Sequence, residues 1–131
     1  MSSQNESLLT SSLNALCLQA KELMLTEGRS INQVAQSLDF NYLAKALELL
    51  NGCRGKVVLS GVGKSGIIAQ KIAATFTSTG TLAIPLHPCD ALHGDLGIVT
   101  RDDLVMMLSN SGETDELLSM LHPLKPVSYT H

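Results

Sequence analysis

A chain of 131 residues that is 44% hydrophobic but only 3% aromatic, with no Trp, has one domain's worth of core to build from Leu, Ile, Val, Ala and Met, the texture of an α/β protein rather than an all-β sandwich. A net charge of -3, a pI near 5.7 and no Lys/Arg cluster remove the footprint of a nucleic-acid partner, while a small anion held by local donors remains open. No basic stretch leads into an apolar leader and no run approaches the roughly 18 apolar residues of a membrane span, so the sequence reads as cytoplasmic with no membrane partner.

In chain order, Leu8, Leu9, Leu13, Leu16, Leu23 and Leu25 recur at helical spacing over residues 7 to 26, and Glu27-Gly28 reads as the stop. A second helix is predicted from Asn32 to Leu50, closed by Asn51-Gly52. Lys56 to Ser60 is a short β-branched run entering glycines, a buried parallel strand before a tight turn. Residues 64 to 78 follow as a helix with Ile67, Ile68, Ile72, Ala73 and Phe76 on its packing side. Strands are predicted at Leu82 to Leu86 and Leu104 to Leu108, and a helix from Glu113 to Leu121. That order gives a three-layer α/β/α, doubly wound parallel sheet preceded by helices, with ligands at the carboxyl ends of the strands. The turns Ser60 to Ser65 and Ser109 to Thr114 fall there. Cys17, Cys53 and Cys89 are odd in number and widely spaced, and Cys17 and Cys53 read as reduced packing thiols.

Two phosphate signatures overlap in residues 58 to 71, and neither survives. A Walker A loop needs a glycine where Val58 stands inside the strand. The glycine pattern of Gly61, Gly63 and Gly66 fits a dinucleotide fingerprint, but residues 80 to 86 carry no carboxylate for a ribose. The glycines are then explained by a helix beginning close to a strand end. Ser109, Ser111 and Thr114 cluster hydroxyls at a helix start, which fits either a capping box or a site for one phosphate group.

Ser60-Gly61-Val62-Gly63-Lys64-Ser65-Gly66, Ala73 to Thr81, His87-Pro88, His93 to Gly97 and Ser109 to Glu113 together resemble the sugar isomerase (SIS) domain of arabinose-5-phosphate isomerases, from about residue 40 to Lys125. The resemblance implies a flavodoxin-like SIS fold and an aldose–ketose isomerase interconverting D-ribulose 5-phosphate and D-arabinose 5-phosphate, in lipopolysaccharide synthesis, without a cofactor. It implies catalytic roles for Lys64, His93 and Glu116, and substrate contacts at Ser60, Gly61, Gly80, Thr81, His87, His93, Ser109, Asn110, Ser111 and Thr114. Glu116 alone reads equally as an exposed carboxylate in a helix's first turn. His87, Cys89, Asp90 and His93 are possible zinc ligands, but no distant pair completes a closed site, so an inhibitory zinc on His87 and His93 is allowed and a required metal is not.

The family chain continues with further strands, another catalytic histidine and CBS domains that this sequence lacks. The expected division is a helical segment 1–52, an incomplete SIS domain 53–125 and a non-native tail 126–131, since Val127 to His131 matches one frame of a transposase sequencing adaptor. The piece is expected to be inactive alone, and the full-length protein a homo-oligomer, a tetramer. Two other functions stay open: a non-catalytic sugar-phosphate-sensing module of a regulator, and a sedoheptulose-7-phosphate isomerase.

Overall fold

Residues 2–124 are described by the structure, a computed structural model, so the segment 126–131 read as non-native lies outside the described residues. The chain divides into two units, Met1–Leu43 and Ala44–His131.

In the first unit, α1 runs unbroken over Ser2–Ser37, through the stop expected at Glu27-Gly28. A glycine inside a helix costs only about 1 kcal/mol. The neighbouring polar side chains bond within the helix: Thr26 Oγ1 donates to the Glu22 carbonyl at 2.8 Å and Ser30 Oγ to that of Thr26 at 3.0 Å. The break comes instead at Leu38-Asp39. There the Asp39 carboxylate accepts the N–H groups of Asn41 and Tyr42 at 2.8 and 3.3 Å, which caps α2 (Phe40–Gly52). The second helix therefore starts eight residues later than its predicted Asn32. Cys17 is exposed on α1 rather than packed, whereas Cys53 packs partly buried against the sheet core of the second unit.

The second unit holds β1 (Val57–Gly61), α3 (Lys64–Ser78), β2 (Ala83–Pro85), α4 (Pro88–Leu92), a 3-10 turn at Asp95–Ile98, β3 (Leu104–Leu108) and α5 (Asp115–Leu124). The strands are parallel in the order β2-β1-β3, with Val57 opposite both Ala83 and Leu104. β1 is buried along its whole length because it is central and covered on both faces, which is why its sequence is a continuous apolar run. Val57 and Leu59 pack on Ala69 and Ala73 of α3, with Leu50 and Phe76 at the margin. Val58, facing the other way, packs with Leu86, Ala91, Met120 and Leu124. Helices on both faces make three layers, as the order of elements predicts.

The packing side of α3 holds Ile72, Ala73 and Phe76, as predicted, but not Ile67 and Ile68. Ile67 and Ile68 are 66% and 53% exposed, and the buried residues are Ala69 and Ala73. Gly66 sets that face: a Cβ on it would lie 2.7 Å from the Gly61 carbonyl oxygen, so α3 touches the end of β1 there. Residues 69, 73 and 76 follow Gly66 at helical spacing and turn inward, carrying Ile67 and Ile68 away. The predicted loop before β3 also contains α4, which begins with Pro88 in its first turn, a position where the missing N–H costs nothing.

At the amino end of the sheet, Asp103 ties β1 to β3. Its carboxylate accepts the Lys56 N–H at 2.8 Å and the Thr100 N–H at 2.7 Å, and pairs with the Lys56 ammonium at 2.5 Å; its side chain is 2% exposed. Burial pushes the Asp103 pKa up, but these bonds outweigh burial and hold it down at about 2.

Candidate functional site

Three turns leave the carboxyl ends of the three strands. After β1, Gly61 has no room for a side chain, since a Cβ would sit 2.7 Å from the Ser65 backbone carbon. The chain then passes through Gly63 at φ 57° and begins α3 on Lys64, with no acidic residue in the first turn and no side-chain cap. A cation is disfavoured at a helix N-terminus by the helix dipole. Lys64 is exposed there and forms no salt bridge among the described residues, so helix stability does not explain its position.

After β3, Ser109 Oγ and Thr114 Oγ1 share a hydrogen bond of 2.9 Å, the Gly112 N–H donates to Ser109 Oγ at 3.0 Å, and the Glu113 N–H donates to Ser111 Oγ at 3.2 Å. The Thr114 carbonyl accepts the first helical bond, from Leu118 at 3.0 Å, so α5 starts two residues later than Glu113. These bonds curl the loop so that the exposed Ser109, Asn110 and Ser111 and the half-buried Thr114 surround a helix start whose first N–H groups have no intrahelical acceptor. Glu116 is the second residue of α5 and is exposed. It lies one turn before Met120, on the side of α5 bordering the sheet.

After β2, exposed His87 caps α4: its Nδ1 accepts the Cys89 N–H at 3.2 Å. With Nδ1 accepting, the neutral ring carries its proton on Nε2 and presents a donor there. His93 is at the far end of α4, exposed, its N–H bonded to the carbonyls of Cys89 and Asp90. Among the described residues no group of three or more His, Cys, Asp or Glu side chains is placed to hold a metal ion.

The carboxyl end of the sheet thus brings together Gly61, Lys64, His87, Ser109, Asn110, Ser111, Thr114 and Glu116. It does not bring Gly80 and Thr81. These follow α3 and precede β2, where the Leu82 carbonyl accepts the Val57 N–H at 2.9 Å, so they are at the amino end. Ala83 is opposite Val57, so Thr81 lies two residues before that pair and Gly61 four after it; six steps at about 3.3 Å put them roughly 20 Å apart. The Ser60 side chain is not at the surface either: fully buried, its hydroxyl donates to the Met120 sulfur at 3.6 Å. Sequence reading missed both Met120 as a partner and the His87 cap; the apolar stripe Leu117, Met120, Leu124 on α5 and the Pro following His87 were the available signals.

An open parallel sheet sandwiched by helices, with glycine turns and hydroxyls gathered at its carboxyl edge, defines an α/β domain of the doubly wound class. The SIS domain family matches residues 49–126, and the chain belongs to that family. Over 110 residues it is 41% identical to the arabinose 5-phosphate isomerase KpsF of Escherichia coli, covering 84% of this chain and 35% of that one. It is 46% identical over 105 residues to the arabinose 5-phosphate isomerase KdsD of Yersinia pestis (80% and 32%), and 57% identical over 104 residues to an uncharacterized protein of Rickettsia prowazekii (78% and 32%). The chain therefore spans about a third of the length of these curated relatives. Among solved structures, c3406 of E. coli CFT073 in complex with arabinose 5-phosphate superposes with a TM-score of 0.82 at 46% identity, over 88% of this chain and 61% of that one. No helix among the described residues is long and apolar enough to cross a membrane.

Proposed function

We propose that the protein carrying this chain is an aldose–ketose isomerase that interconverts D-arabinose 5-phosphate and D-ribulose 5-phosphate. The observation that supports it most is the juxtaposition of a helix-leading Lys64 with the hydroxyl-rich start of α5 on neighbouring strands β1 and β3. The α5 start takes the phosphate, through Ser109, Ser111 and Thr114 and the free N–H groups. Glu116 removes the proton from the carbon next to the carbonyl, forming the enediolate, and Lys64 stabilises the negative charge that develops on oxygen. His87 donates from Nε2 to a substrate oxygen, and His93 carries the proton between oxygens. The arabinose 5-phosphate isomerases KpsF and KdsD, and c3406 with its bound arabinose 5-phosphate, support the substrate.

Gly80 and Thr81 are farther from this edge than a five-carbon sugar phosphate reaches, which supports a homo-oligomer, a tetramer, in which they contact the substrate held by a neighbouring copy. The catalytic domain proper begins at residue 53, and the protein works in the cytoplasm without a required metal or cofactor. The test is to incubate the intact protein with arabinose 5-phosphate in D2O and follow the sugar by NMR. Ribulose 5-phosphate carrying solvent deuterium at C1 is expected. Binding without turnover would indicate a sensing module, and turnover only of sedoheptulose 7-phosphate would indicate the seven-carbon isomerase.

A further inference from the structure

Ser60 is the single polar residue in the buried core of the described chain, and its hydroxyl has one side-chain partner, the sulfur of Met120 at 3.6 Å. Both residues are 0% exposed. Apolar packing does not account for a hydroxyl there, because alanine would fill nearly the same space without a buried O–H to satisfy. What the contact does is mechanical. Ser60 is the residue before Gly61, whose carbonyl abuts Gly66, so it is joined without slack to the turn that starts α3 on Lys64. Met120 is one helical turn after Glu116, on the same side of α5. The bond is therefore directional and joins β1, which leads into Lys64 at the start of α3, to α5, which carries Glu116, beside the non-directional packing of Val58 on Met120 and Leu124.

We propose that Ser60 is a positioning residue: through Met120 it fixes the axial setting of α5, and so the placement of Glu116 relative to Lys64 over the carboxyl end of β1. This rests on the isomerase reading above. A methionine sulfur is a weak acceptor on a flexible chain, so the tie steers α5 more than it stabilises it. Loss of the tie lets α5 slide by a fraction of an ångström, which disturbs proton transfer, an event sensitive to small misplacement, more than it disturbs phosphate binding.

The experiment compares Ser60→Ala, Met120→Leu, the double variant and Ser60→Cys in the intact protein, well below the melting temperature. Turnover of arabinose 5-phosphate, KM and the pH profile of kcat are measured on equal amounts of folded protein. Ser60→Ala and Met120→Leu are each expected to lower kcat roughly tenfold with KM within about twofold, and to shift the acidic limb of the pH profile as Glu116 loses its setting. The double variant should be no worse than either single one, because both remove the same tie. Ser60→Cys, with a weak S–H donor, should recover part of the rate. Unchanged kcat and pH profile with a lowered melting temperature would make Ser60 a core residue and nothing more, overturning the proposal while leaving the isomerase intact. Should Ser60→Ala not fold, Met120→Leu decides alone. No turnover in the unmodified protein would overturn the isomerase reading, and this role with it.

Discussion

The two ends of the same three-stranded sheet are built on opposite principles. At the amino end the buried carboxylate is answered: the Asp103 side chain is 2% exposed, accepts two backbone N–H groups and pairs with the Lys56 ammonium, and the Gly55 N–H bonds to the Asp102 carbonyl at 2.8 Å. A Cβ on Gly55 would run into the Asp103 carboxylate, so even the backbone closes on the pair. At the carboxyl end Lys64, His87 and Glu116 are exposed, Lys64 stands against its helix dipole, and two helix starts point free N–H groups outward. Groups that hold a fold together satisfy one another, whereas groups that handle a ligand stay available to it. The contrast supports the proposal that the carboxyl end is the working end.

The largest expected effect is at the working end. Lys64→Ala and Glu116→Gln in the intact protein should each lower kcat by about 100-fold or more with a small change in KM and none in melting temperature. Equal activity in either variant would blunt the contrast. Lys64→Arg should not restore the rate fully, since a planar guanidinium places its charge differently from an ammonium.

The next effect is at the other end. Asp103→Asn leaves the half-buried Lys56 ammonium without its counter-charge and should cost about 2 kcal/mol of stability in denaturant titration. What remains folded should bind arabinose 5-phosphate normally. A loss of binding in folded protein would mean that the two ends are not independent.

A pH titration of stability follows from the same pair. The Asp103 pKa lies at about 2 in the folded protein against an ordinary 3.8, so its contribution is complete above pH ~4 and is lost as pH falls toward 2. Acid unfolding should show a loss of about 2 kcal/mol across that window, absent in Asp103→Asn.

Ser111→Ala is expected to give the smallest effect, about 1 to 2 kcal/mol in sugar-phosphate affinity by calorimetry, the size of one charge-assisted hydrogen bond. Unchanged affinity would take Ser111 out of the site.

Much of this was legible in the sequence, for identifiable reasons. The strands at Lys56 to Ser60 and Leu104 to Leu108 announce themselves by β-branched and apolar runs, and the observed β1 and β3 differ by at most a residue at their ends. That the turns after β1 and β3 share the carboxyl end of the sheet followed from strand order, because parallel strands end on the same side. Three things were not legible. Gly28 resembles a helix stop, yet side-chain bonds and continuing apolar spacing carry α1 on to Ser37. The inward side of α3 is chosen by the Gly61–Gly66 contact, a tertiary event that hydrophobicity at Ile67 and Ile68 does not report. Asp103 looks like any loop acid until β1 and β3 are paired and Lys56 arrives beside it.

The most direct test of the claim that the carboxyl end of the sheet is the sugar-phosphate site is a crystal structure of the intact protein with arabinose 5-phosphate bound. The phosphate should lie within hydrogen-bond reach of Ser109, Ser111 or Thr114 at the start of α5, with the sugar between Lys64 and Glu116. A phosphate bound away from that turn, with Ser109, Ser111 and Thr114 still engaged only with their own loop, would contradict it.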